Sequence, residues 1–349
     1  MPAFTYKCPS CGNALKYEPN GDSFACDFCQ SHFDKAYLDT LSDKAYGQEK
    51  KRGALDYRPG EEEFLFSCPS CGAELVTSET TAATQCYYCH NPVVIVGRLD
   101  EAFRPDALLP FKYDKDQAKS RFFKWIRNKK YVPKEFIAES SVERLAGVYY
   151  PYWLADYEAS ASFTGEGQIV THSVTAKYNI TTTKYYSVSR DADISFRNVE
   201  RSALQKADRK LADAVHPYDT QGLVDFSPSY LSGFMAEKRD IAKDAIKGSV
   251  EEELKGYAQP LITSNTPYTS LVGSTSVQLK GNRYRYTLLP AYVMTYRGEK
   301  GNMYYYAMNG QTGEVCGVLP VDMKKLILHG GVLAAAVCGI LLGIFYFFV

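Results

Sequence analysis

Residues 8–29 read C-P-S-C, fourteen intervening residues, then C-D-F-C, and residues 68–89 repeat the device as C-P-S-C, fourteen residues, then C-Y-Y-C. Eight of the ten cysteines fall in these two sets. A Cys-x2-Cys knuckle puts two sulfurs on one tight turn, and two knuckles at the tips of adjacent hairpins close a tetrahedral four-thiolate cage. The spacing predicts two structural zinc ribbons with one ion each, held by Cys8, Cys11, Cys26 and Cys29 and by Cys68, Cys71, Cys86 and Cys89. Disulfides are the competing reading, but thiols paired this closely and repeated at a fixed offset suit a metal better. Such modules have little apolar core, so metal binding supplies most of their folding free energy, on the order of 10–16 kcal/mol per site. Four protein ligands leave no open position for water or substrate, which makes the sites structural and not catalytic. His32 and His90 follow the last cysteine of each set and are alternative ligands. With four cysteines already complete, a surface or supporting role is the simpler reading of both.

The other end of the chain sets the class. Residues 330–349 read GGVLAAAVCGILLGIFYFFV, without a charge. At about 1.5 Å per residue such a stretch spans roughly 30 Å of hydrocarbon, and it lacks the polar face of a soluble helix. A C-terminal transmembrane helix is expected over 326–349. Lys324 and Lys325 precede it, which places the N-terminal domains in the cytoplasm and makes the protein a single-pass, tail-anchored one of the cell membrane. The polar start MPAFTYKCPSC carries no secretory signal and agrees with a reducing compartment. Gly331, Ala335, Gly339 and Gly343 recur every four residues and form a candidate packing stripe, through which the chain can self-associate. Cys316 and Cys338 read as packing residues.

Between these ends the expected class is α+β: ribbon 1 over 1–36, a connector over 37–66, ribbon 2 over 67–98, and a larger α+β domain with antiparallel sheet over 99–322. Gly12 and Gly72 are placed to turn the chain after the first knuckle of each ribbon. The 28 tyrosines and 18 phenylalanines suggest strands with one buried face. Asp114 is positioned to cap a helix carrying Ala118, Phe122, Trp125 and Ile126 at helical spacing. Its basic residues, Lys119, Arg121, Lys124, Arg127, Lys129 and Lys130, admit two readings: a basic amphipathic helix lying on anionic lipid, or a helix packed on a sheet with a charged outer face. Residues 148–190 read as an antiparallel meander with a turn at 164–167. Helices are expected near 201–215 and 237–257. A final hairpin pairs 289–296 with 303–308, followed by an Asn309-Gly310 turn.

No G-x4-G-K-[ST], H-E-x-x-H or G-x-S-x-G occurs, so the familiar phosphate cradle, zinc-protease and nucleophile-elbow signatures are absent. Forty basic residues balance forty acidic ones, which removes a global drive towards nucleic acid. The first cysteine set holds Lys16 as its one cation against Glu18, Asp22 and Asp27, and the second holds none. Phosphate contacts need several cations. A membrane-tethered nucleic-acid binder and an enzyme with an unrecognised site stay open as alternatives to a binding protein.

Beyond the ribbons, the chain carries T-T-A-A-T at Thr80 to Thr84, L-P-F at Leu109 to Phe111 and G-V-Y-Y-P-Y-W-L at Gly147 to Leu154. Further on come Y-L-S-G-F at Tyr230 to Phe234 and N-G-Q-T-G at Asn309 to Gly313. In this order, with two C-P-S-C-G ribbons and a terminal span, the chain resembles the bacterial TFIIB-type zinc-ribbon membrane proteins over essentially its whole length. Members are often labelled primosomal-helicase-like, and some are encoded beside PspA-type and SPFH-domain proteins. The resemblance implies a non-enzymatic membrane adaptor, with the eight cysteines as zinc ligands and protein partners of those two types in envelope stress. It transfers no catalytic residue.

Overall fold

Half-buried strands, expected from the tyrosine-rich alternation, build an α+β fold in which antiparallel pairing dominates. This computed structural model describes residues 3–40 (apart from 20, 22 and 39), 63–95 (apart from 72, 73, 79, 87, 88 and 90), 103–137, 145–205, 215–297 and 302–348. Two units are distinguished: Met1–Tyr150 with Lys206–Lys238 and Leu288–Val349, and Pro151–Gln205 with Arg239–Thr287. The expected domain over 99–322 therefore contributes to both, while the connector residues 41–62 lie outside the described residues.

The strands in chain order are β1 (Ala3–Phe4), β2 (Leu15–Glu18), β3 (Ser23–Cys26), β4 (His32–Asp34), β5 (Glu63–Ser67), β6 (Glu74–Ser78), β7 (Thr81–Gln85), β8 (Pro92–Ile95) and β9 (Ala107–Leu108). After them come β10 (Ala146–Val174), β11 (Asn179–Ser202), β12 (Val224–Asp225), β13 (Met235–Glu237), β14 (Ser270–Arg297), β15 (Met303–Asn309) and β16 (Val315–Val318). The helices are α1 (Lys115–Ile126), α2 (Lys134–Ile137), α3 (Lys243–Thr263) and α4 (Met323–Phe348).

In the first unit the sheet runs β1-β8-β7-β13-β10-β14-β15-β16. Only the start of β10 and the end of β14 belong to this unit. Strand β13 lies parallel to β10, with Val148 opposite Met235. The ribbons are built into this sheet. Strand β1 pairs with β8, β7 pairs with β13, and the separate β2-β3-β4 sheet is tied on by Tyr17 N donating to Ser232 O (3.0 Å) and Ser232 Oγ donating to Leu15 O (2.5 Å).

An aromatic cluster closes the core beside that tie. Phe111 stacks on Phe234 at 4.1 Å and meets Tyr149 and Tyr292 edge-on at 4.9 and 5.0 Å. Tyr17 of the first ribbon extends the cluster through Tyr230 at 5.1 Å. Gly147 is required here, because a Cβ would stand 2.6 Å from the Phe234 ring.

Helix α1 starts where expected. Asp114 Oδ1 accepts from Gln117 N (2.7 Å), and the Gln117 side chain accepts from Asp114 N (3.0 Å), a reciprocal capping box. Ala118, Phe122 and Ile126 are buried, and Phe122 and Trp125 pack on Tyr306 of the sheet at 4.9 and 5.4 Å. The apolar face is thus consumed by the protein, and the packed-helix reading of α1 is the one realised. The Asn309-Gly310 turn is longer than expected: Asn309 N donates to Glu314 O (2.8 Å) and the chain reverses through Gly313, at φ 75°. Asn309 is fully buried. Its Nδ2 donates to the Val215 and Pro217 carbonyls (2.8 and 3.2 Å), and its Oδ1 accepts from Gln311 N and Thr312 N (2.8 and 2.9 Å).

In the second unit the expected meander gives way to one long hairpin. Strand β10 runs straight through 164–167 and turns only at 175–178, after which β11 pairs back from Asn179 opposite Val174. The glycines that suggested a turn serve close approach between strands. A Cβ on Gly165 would stand 2.3 Å from Val272 O, and one on Gly167 would stand 2.6 Å from the Tyr268 ring. Ala155, Tyr157, Ala161 and Phe163 of β10 form one face, covered by Val250, Leu254 and Ile262 of α3. That helix lies at Lys243–Thr263, six residues later than expected, because Glu237 ends β13; Leu254 faces the core and Ala245 is exposed. Arg201 and Ser202 belong to β11, and 206–214 of the other expected helix lie outside the described residues.

Truncating Asn309 to Ala leaves two buried carbonyls and two amides without their partner, at a cost of about 3 kcal/mol. The full chain in detergent should melt well below the parent; a midpoint shift under about 1 °C would show that the loop is not held this way.

Candidate metal centres

The first cysteine set is shaped by two knuckles of the same design. Cys8 N donates to Asn13 O (2.6 Å) and Gly12 N donates back to Cys8 O (2.8 Å); in the second knuckle Cys26 N donates to Ser31 O (3.0 Å) and Gln30 N to Cys26 O (2.8 Å). Each needs one left-handed residue, supplied by Gly12 at φ 76° and Gln30 at φ 57°. In the second set Cys86 N donates to Asn91 O (3.0 Å). Gly72, Tyr87, Tyr88 and His90 lie outside the described residues.

The eight cysteines predicted as ligands come together in two groups of four, and within each group the sulfurs all lie within 4.8 Å of one another. Both groups show the same gradient: the first and third cysteines buried, the second exposed, the fourth half-buried. Cys8 and Cys29 Sγ lie 3.5 Å apart, as do those of Cys11 and Cys26; the matching separations in the second group are 3.7 Å. These are not disulfides, whose sulfurs stand about 2.05 Å apart. A tetrahedron with metal–sulfur bonds of about 2.3 Å has edges of about 3.8 Å. Four soft thiolates at nearly that spacing fit zinc in both donor set and size. Within the described residues His32 joins neither group, its Nδ1 lying 3.0 Å from Glu18 Oε2.

The electrostatics within each group show what a cation would relieve. Burial raises Cys68 and, with hydrogen bonding to the other three sulfurs, pushes Cys89 up to about 12. Cys29 is brought down to about 6 by the Ser31 hydroxyl, 3.3 Å away, and by the Ser31 backbone. Four thiols this close cannot all ionise against one another, whereas a divalent ion lets all four become thiolate. A metal held by four protein sulfurs would brace two hairpins and leave no coordination position open for water.

The remaining expected site residues fall in α4. Gly331, Ala335, Gly339 and Gly343 lie along that helix and are exposed, and beyond the adjoining helical backbone no atom of the described residues lies within 4 Å of a Cβ built on any of the three glycines. Cys338 is exposed there, while Cys316 sits half-buried in β16, where burial raises its thiol pKa. Sequence reading passed over Phe28, which stands 75% exposed between two ligand cysteines. Its signal was present: an aromatic at a knuckle tip has no core within reach.

No protein-family model and no solved structure matches the chain. Among curated proteins it is similar to "Uncharacterized protein YdjG" of Bacillus subtilis (strain 168), at 26% identity over 326 residues that cover 92% of each chain. The similarity spans nearly the whole of both proteins, and the relative's name assigns it no activity.

Purified from zinc-containing medium, the full chain should hold two zinc ions and Cys68→Ser about one, by elemental analysis. Binding must strip protons from thiols whose pKa is raised, so affinity rises with pH and metal is lost as pH falls from about 7 to 5. Zinc retention independent of pH across that range would rule out thiolate ligation.

Proposed function

We propose that the protein is a single-pass membrane protein whose cytoplasmic zinc-ribbon unit acts as a non-enzymatic adaptor. The observation that carries the membrane part is the state of α4. Met323–Ile344 contains an 18-residue window with a mean hydropathy of 2.2, none of which is buried by the protein. A soluble core helix of that composition would be covered, and a secretory signal would lie at the other end of the chain. At about 1.5 Å per residue the 22-residue stretch is about 33 Å long, enough to cross the hydrocarbon layer. Lys324 and Lys325 at its start favour a cytoplasmic position for the preceding residues.

The adaptor role rests on the closed cysteine groups and on what they display. A metal-braced knuckle that holds Phe28 in solvent offers a partner a preorganised aromatic anchor with little left to order on binding. Tethering to the bilayer raises the effective concentration of whatever docks there. The resemblance to TFIIB-type zinc-ribbon membrane proteins points to PspA-type or SPFH-type partners and to envelope stress. For the nucleic-acid alternative, Lys16 is engaged by Asp27 at 2.5 Å, which neutralises the one cation of the first cysteine set.

Two measurements test the reading separately. Leu333→Lys with Ile340→Lys puts two charges in the span at about 3 kcal/mol each; the parent should resist alkaline carbonate extraction and the double variant should not. Phe28→Ala should keep two zinc ions yet deplete PspA-type or SPFH-type proteins crosslinked to the parent in membranes. An unchanged set of crosslinked proteins would remove the knuckle as the docking surface.

A further inference from the structure

Helix α1 loses its apolar face to the core, but its basic face does not point at random. The segment that follows it is clasped to the first turns of α4: Asp322 N donates to Tyr131 O (2.7 Å), Lys325 Nζ donates to Val132 O (3.1 Å), and the His329 and Tyr131 rings meet at 5.7 Å. Chain positions 127–130 therefore run directly into the point where the apolar helix begins. Lys129, two residues before Tyr131, lines an open cavity of about 410 Å³ together with Arg121, Lys124, Trp125 and Asn128 and with Gly313 and Val315 where the chain turns into β16.

The cations lining this cavity form no ion pair with a carboxylate among the described residues. Lys119 on the same helix pairs with Asp116, and Lys325 with Asp322, but among the described residues Lys124, Arg127, Lys129 and Lys130 have no carboxylate partner. Arg121 is fixed without being neutralised: it stacks on Tyr113 at 4.3 Å, and its guanidinium donates to Gly313 O (3.2 Å) and Tyr113 Oη (2.9 Å). Trp125 is held against the sheet at Tyr306, with Lys129 over its ring at 5.7 Å. A half-exposed indole among preset cations is the composition of a membrane-interface site.

We propose that this cavity binds the phosphate headgroup of an anionic glycerophospholipid at the leaflet where α4 enters. The inference rests on the membrane reading of α4 and adds a lipid preference to it. The apolar lipid tails would continue into the bilayer while Lys124 and Lys129 meet the phosphate; Arg121, already fixed, supplies charge from the cavity wall. This differs from an amphipathic helix lying on the surface, since no apolar face of α1 is left to insert.

The test uses the full chain in neutral detergent, titrated with dioctanoyl phosphatidylglycerol, dioctanoyl phosphatidylcholine or inorganic phosphate, read by tryptophan fluorescence and by native mass spectrometry. Phosphatidylglycerol should bind saturably and at least tenfold more tightly than phosphatidylcholine, and Lys124→Gln with Lys129→Gln should weaken it about tenfold. Both substitutions are on exposed side chains, and an unchanged zinc content and melting midpoint would show that the variant folds. Equal binding of the two lipids, or no effect of the double substitution, overturns the proposal. Inorganic phosphate competing at the same concentration assigns the cavity to a free anion and overturns the lipid assignment. Carbonate extraction of the same protein separates the two readings: if the chain stays in membranes but shows no lipid preference, only the headgroup site falls, whereas extraction of the parent chain would remove the anchor beneath it.

Discussion

Four sulfurs held 3.5–3.7 Å apart in opposed pairs, twice over, form the constraint around which the N-terminal third is arranged. Such a group is under electrostatic tension until a cation sits at its centre, and the hairpins that carry it have too few apolar residues to hold the geometry alone. The consequence reaches beyond the ribbons, because their strands are members of larger assemblies. Strand β8 pairs with β1 and β7, and β7 pairs with β13, so the second cage lies at the end of the main sheet of its unit. The first is joined through Ser232 to the aromatic cluster. Metal binding at these groups would therefore be linked to the folding of this unit.

The motifs that carry the family resemblance meet in space for reasons of packing. Phe111 of L-P-F, Tyr149 of G-V-Y-Y-P-Y-W-L and Phe234 of Y-L-S-G-F are one ring cluster, and Gly147 leaves the room that Phe234 occupies. Gly310 of N-G-Q-T-G lies under the same Phe111, where a Cβ would stand 2.6 Å from the ring. Asn309 beside it holds four backbone groups. Residues that look functional in a linear motif here secure a close approach or satisfy buried backbone groups.

The junction with α4 joins two environments. Tyr131, Val132, Asp322 and Lys325 exchange hydrogen bonds just where the chain changes from a charged surface to an apolar helix. Lys129 and Lys130, which have no carboxylate partner among the described residues, immediately precede Tyr131. In the proposed membrane reading, this junction would set which face of the unit meets headgroups.

Periodicity and spacing determined the cysteine pairing, the apolar span, the Asp114 cap and the α+β class, because each depends on neighbours within a few residues or on composition alone. They misread the glycines at 165 and 167, since a glycine that permits a turn and one that permits a neighbouring strand to approach look alike in one dimension. They also left α1 between two readings, as its apolar stripe would suit lipid or sheet equally. Only the tertiary structure chose, by placing Tyr306 under Phe122 and Trp125 and by bringing residues 131–132 to the start of α4, nearly two hundred positions away. Contacts at such separation are set by the packing of whole elements, which no local pattern encodes.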